Sequence, residues 1–147
     1  MTFGEEIEGE IKEFINEIGN ICYFPDSDYG VEYLNNNFSF LGTKIDLSKE
    51  NNYTSHDFKE NDFLDMIKFF EFKDIKEKIL ESNEIHYVGD GITNSELVFS
   101  GEEFFKVLEF LFVNIPEHHY FFDVEKKWCL LIATEVWIAY GEKSIER

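Results

Sequence analysis

Histidine and cysteine are the side chains here with the readiest chemistry, and their spacing limits what they can do. His118 and His119 are adjacent. Neighbours on a strand point to opposite faces, so the pair cannot bind one metal from regular β geometry. A metal site would need His56 or His86 and a carboxylate to converge by tertiary packing. The simpler expectation puts one histidine of the pair in the core and the other at the surface. A nucleophile would pair Cys22 or Cys129 with His118 or His119, and it needs a thiolate held by a cation or a helix N-terminus. Both thiols instead lie in apolar or aromatic settings, Ile21-Cys22-Tyr23 and Trp128-Cys129-Leu130. Buried, reduced thiols are expected.

The remaining motifs are weaker. Gly89-Asp90-Gly91 has too few glycines to cradle a phosphate and reads as a hairpin turn. Asp26-Ser27-Asp28 followed by Glu32 offers oxygen ligands but fails the EF-hand order, so a solvated loop is expected. Paired carboxylates of the glycosidase kind arise by chance among 31 Asp and Glu. The sequence thus assigns no catalytic residue, no metal ligand and no cofactor, and reads as a non-enzymatic protein.

Charge is more informative. Against those 31 acids stand 13 Lys and Arg, a formal net charge of -18, with Arg147 as the sole arginine. Such a field repels nucleic acid and anionic membrane and attracts basic surfaces. It exceeds the magnitude of roughly 2–8 that suffices for solubility. The chain is not a disordered acidic tail, because 17 Phe and 7 Tyr can fill a core and still leave rings for a partner. The N-terminus lacks a basic region followed by an apolar one, and no apolar run approaches the ~20 residues that span a bilayer. A cytoplasmic protein is expected.

The elements that must position these groups follow from periodicity. Thr2 and Glu5 have capping-box spacing, Ile7, Ile11, Phe14, Ile15 and Ile18 recur at helical intervals, and Gly19 is placed to end the helix. Its outward face carries Glu6, Glu10, Glu13 and Glu17. A short strand is expected at 21–24, an acidic, tyrosine-bearing loop at 26–33, β character around Phe38, Phe40 and 43–47 with a turn at Gly42, and exposed polar chain at 48–55. Asp57 and Glu60 have capping spacing ahead of Phe63, Leu64, Ile67 and Phe70. Ile75 and Ile79 continue in a second short helix. Strands are expected at 85–88 and 97–99, then a helix capped by Ser100 and Glu103, containing Phe104, Val107, Leu108, Leu111 and Phe112 and stopped by Pro116. Strands at 119–122, 128–133 and 136–140 close the chain, the second apolar enough to be buried on both sides. The whole reads as a single α+β domain over residues 1–147, a mainly antiparallel sheet with helices covering one face.

The run His118-His119-Tyr120-Phe121-Phe122, then Trp128-Cys129-Leu130 and Gly141, resembles small bacterial immunity proteins encoded beside polymorphic or contact-dependent growth inhibition toxins. Many of those have Glu-Gly in the closing hairpin, where this chain has Glu135-Val136. The resemblance implies an acidic inhibitor that blocks a cognate basic toxin, a nuclease by charge, with complementary fields speeding encounter and aromatic anchors slowing release. With arginine nearly absent, rings beside acids are the expected partner-binding residues: Asp26, Asp28, Tyr29, Glu32 and Tyr33 first, then the outward acids Glu10, Glu13 and Glu17 of the first helix. Two other readings compete: an acidic nucleic-acid mimic that inhibits a restriction or CRISPR nuclease, and a small enzyme built on His118, His119 and Cys129.

Overall fold

The structure, a computed structural model, describes residues 2–42 and 44–143; Thr43 and Arg147, both noted above, lie outside the described residues. Helix α1 (Phe3–Ile18) starts where Thr2 Oγ1 accepts the Glu5 N–H at 3.1 Å and ends at Gly19, whose φ of 74° suits glycine. Its Ile7 and Ile11 are buried while Glu10, Glu13 and Glu17 face solvent. There follow β1 (Cys22–Phe24), α2 (Asp28–Asn37), β2 (Phe40–Leu41), β3 (Lys44–Ile45), β4 (Asn51–Asp57), α3 (Phe63–Ile67), a 3-10 turn over Lys68–Glu71, and α4 (Ile75–Leu80). The chain closes with β5 (Ile85–Gly89), β6 (Glu96–Phe99), α5 (Phe104–Asn114), β7 (His119–Asp123), β8 (Trp128–Ala133) and β9 (Trp137–Glu142).

Among the described residues seven strands form an antiparallel sheet in the order β1-β6-β5-β7-β8-β9-β4, with β2 and β3 paired apart. The fold is α+β, as the pattern of elements implied. Strand alternation divides the core into two layers. Tyr87, Leu97, Phe121, Leu130 and Tyr140 pack with Ile7, Ile11, Met66, Phe69, Ile79 and Leu108 from α1, α3, α4, α5 and the turn after α3. On the other face Val88, Tyr120, Phe122, Cys129 and Leu131 pack with Leu34, Phe38, Ile45 and Leu47. Strand β8 is buried at every position. That double burial requires cover on both faces, so the expectation of helices on one face is corrected: α2 and the 38–47 segment form the second lid.

Four local expectations are also corrected. Residues 28–37 are helical, not loop. The signal was the spacing of Gly30, Leu34 and Phe38, all buried, but three asparagines and a glycine lower its helix propensity and hid it. Residues 51–57 form edge strand β4 rather than irregular chain. It is polar on both faces, so only pairing with β9 (Thr54 opposite Tyr140, His56 opposite Ile138) identifies it. Helix α3 is capped by Asp62, whose side chain accepts the Asp65 N–H at 3.0 Å, and Asp57 belongs to β4. Ser100 makes no side-chain cap for α5, which a 3-10 turn at Gly101–Glu103 leads into.

Candidate functional site

The histidine that stands out is His86, whose ring joins two carboxylates. Strands β5 and β6 pair with His86 opposite Val98 and Val88 opposite Glu96, so His86 and Glu96 are diagonal neighbours on one face. Glu96 Oε2 lies 2.7 Å from His86 Nδ1, and Glu84 Oε1 lies 2.9 Å from Nε2. With a carboxylate at each ring nitrogen, both nitrogens donate when the ring is an imidazolium. Burial by itself pushes the His86 pKa down; hydrogen bonds and charge from Glu96 and Glu84 outweigh it, and the net direction is up.

Glu96 has a second task. Its Oε1 accepts the Gly30 N–H at 2.8 Å. Ser27 gives α2 no side-chain cap, and a helix leaves its first N–H groups without internal partners. Glu96 therefore caps α2 from across the sheet face, with its negative charge at the positive end of the helix dipole. A Cβ at Gly30 would sit 2.6 Å from Glu96 Oε1 and 2.7 Å from Val88 Cγ1, so the contact needs glycine. Asp26 serves the same helix end, accepting the Asp28 N–H at 3.2 Å.

Rings complete the arrangement. His86 stacks on Phe122 with centroids 5.1 Å apart, and Tyr29 lies 5.5 Å from its ring. Tyr33, one turn along α2, stacks on Phe122 at 5.0 Å. Next to Tyr29 opens a cavity of about 450 Å³. Cys22, Phe24 and Val98 line it from the sheet, Pro25 and Tyr29 from the side, and Asp26, Glu84, His86 and Glu96 supply its polar groups. A second cavity of about 250 Å³ shares Tyr29, Glu84 and His86 and adds Asp123, Val124 and Glu125. Neither is lined by a described lysine or arginine.

The structure brings Asp26 and Tyr29, singled out from the sequence, to this cavity with His86, named from the sequence only as a conditional metal ligand, and with Glu84 and Glu96, which sequence reasoning missed. Asp28 and Glu32 are exposed on α2. Tyr33 is half-buried against Phe122, and burial raises its pKa to about 12. Glu10, Glu13 and Glu17 are exposed on α1, which packs on the opposite sheet face. The missed residues left one faint trace: a glutamate ahead of the apolar run Leu97-Val98-Phe99.

His119 is buried, as expected for one member of its pair. Tyr87 Oη donates to its Nδ1 at 2.6 Å, its Nε2 donates to the Ile115 carbonyl at 3.0 Å, and burial pushes its pKa down to about 4. His118 is half-buried and its Nδ1 accepts the Thr134 N–H at 3.1 Å. Cys129 is buried on the face opposite His119, and burial pushes its thiol well up. Those two residues do not meet. Cys22 is exposed, a correction: in a three-residue edge strand its side of the sheet opens onto the cavity. Among the described residues no three His, Cys, Asp or Glu side chains are placed to hold a metal ion, and no helix is long and apolar enough to cross a membrane.

No protein-family model matches the chain, and no match is found among curated proteins or solved structures.

Proposed function

We propose that this protein is an acidic inhibitor of the immunity type, which binds a basic toxin domain, such as a nuclease, and blocks its active site. The observation that carries this reading is an imbalance in where cations sit. From Glu5 to Glu32 the chain has Lys12 as its one base, and that lysine lies over the Tyr23 ring at 5.3 Å. Three lysines of the later chain are tied closely to carboxylates: Lys78 to Glu142 at 2.6 Å, Lys44 to Glu135 at 2.7 Å and Lys143 to Glu50 at 3.1 Å. Asp26 and Glu84, by contrast, are exposed at an open cavity that no described lysine or arginine lines, and Asp28 and Glu32 are exposed on the helix that carries Tyr29. A surface of that kind raises the local concentration of a cationic partner and speeds encounter. Exposed Tyr29 and Phe24 supply apolar contact that slows release.

The test is co-expression with the product of the adjacent reading frame. A stoichiometric complex whose association rate falls steeply with added NaCl supports the reading. Absence of a complex, or association indifferent to salt, overturns it. Retained binding after the partner's active-site lysines and arginines are neutralised would remove active-site blockade from the proposal.

A further inference from the structure

We infer that the cavity beside Tyr29 receives an arginine side chain of the protein partner, with its guanidinium between the tyrosine ring and the carboxylates of Glu84 and Asp26. This rests on the reading of the chain as an inhibitor of a basic protein, and names the contact that would anchor it.

The cavity's volume of about 450 Å³ lies toward the small end of the roughly 300–1,000 Å³ typical of ligand pockets. That suits one long side chain better than a folded element. Its chemistry rejects the alternatives in turn. An anion would meet Asp26, Glu84 and Glu96, and the imidazole offers it no N–H because Glu96 and Glu84 occupy both ring nitrogens. A wholly apolar group would strip water from those carboxylates and give nothing back. A cation meets carboxylates and aromatic faces together. Tyr29 is 56% and Phe24 49% exposed, among the most exposed rings of the described residues, and such faces attract cations.

Between the two cationic side chains the geometry selects arginine. A guanidinium is planar, lies flat on a ring while its edge donates to carboxylates in a fork, and is less strongly hydrated than an ammonium. Glu84 is held to His86 through Oε1 and is otherwise exposed, so it is positioned in advance of binding. Rigid presentation of that kind lowers the cost of association.

The experiment is an NMR titration of the full chain with the tripeptide acetyl-Gly-Arg-Gly-amide. The same peptide with citrulline, a neutral isostere, is the control, and Tyr29→Ala and Glu84→Gln are tested in parallel. The arginine peptide should shift resonances of Tyr29, His86 and Val98 with weak, saturable binding; citrulline should not. Each variant should weaken the response several-fold while its thermal unfolding stays near wild type. With the reading-frame partner, Tyr29→Ala should raise Kd at least tenfold. Equal shifts from citrulline, or no shift at these residues, overturn the inference. If the partner complex forms but is indifferent to both variants, the inference falls and the inhibitor reading stands. If the peptide binds and no partner complex forms, the reading falls and the cavity keeps its chemistry.

Discussion

His86 and His119 stand on paired neighbouring strands, β5 and β7, yet they face opposite layers of the molecule. Both side chains are almost wholly buried. His86 has carboxylates at both ring nitrogens and its pKa moves up. His119 has a phenol and a backbone carbonyl, and its pKa moves down to about 4. Burial disfavours the charged ring in both places; only at His86 do anionic partners outweigh it. His86 therefore belongs to a charged, polar cluster beside one cavity, and His119, which lines another of about 380 Å³, keeps a neutral ring as part of the core. Depth of burial does not decide which histidine belongs to a surface site. Its partners do.

The sharpest way to break this comparison is Glu96→Ala. It removes one of the two anions at His86 and the cap on Gly30 together, leaving buried polar groups without partners. A loss of about 3–5 kcal/mol is expected, the range for removing one member of a buried ion pair. Urea unfolding measures it, and unchanged stability would mean the cluster is ornamental to the fold.

Acid tests His119. The folded His119 pKa lies near 4, below its ordinary 6.5, so the unfolded chain takes up the proton first. Stability from this residue is whole above about pH 6.5 and declines toward pH 4, by on the order of 3 kcal/mol across that interval. The measurement is the difference in pH dependence between wild type and His119→Leu, which cancels the titration of the carboxylates and the other histidines. Parallel pH profiles would contradict a neutral, buried ring.

His86 carries the opposite sign. Its folded pKa is raised, so its contribution is complete below about pH 6.5 and is lost as pH rises through the folded value. Glu84→Gln should shrink that alkaline loss. Because Glu84 is exposed, the variant should cost less than about 1 kcal/mol at neutral pH. A larger cost would show that Glu84 supports the fold and not mainly the site.

Much of the scaffold was readable because local rules and tertiary packing agreed. Thr2, the isoleucine stripe and Gly19 define α1 by spacing alone, and the apolar run Trp128-Cys129-Leu130-Leu131 announces a strand buried on both faces. Reading failed where partners lie far along the chain. Helix α2 has a weak intrinsic preference, and Glu96, distant in sequence, supplies its missing cap. Strand β4 is polar throughout and gains its identity from β9. The cap expected from Ser100 failed because a 3-10 turn intervenes before α5. Of the candidate site, Asp26 and Tyr29 were legible as an acid and a ring in one acidic segment. His86 was legible only as a ring that would need a carboxylate, and Glu84 and Glu96 were not, since an isolated acid in or beside a strand does not disclose what stands next to it.

Composition and periodicity by themselves determined the acidity of this protein, its α+β class and the order of most of its elements, because charge is additive and local spacing selects helix or strand without reference to distant residues. Tertiary structure alone decided that α2 covers the second face of the sheet, that Glu96 joins His86 to the start of that helix, and that Tyr29 and Asp26 share a cavity with Glu84. Those outcomes depend on contacts between residues from 10 to 66 positions apart, where a hydrogen bond of 2.7 Å between His86 and Glu96 follows from strand register and not from any neighbour in sequence.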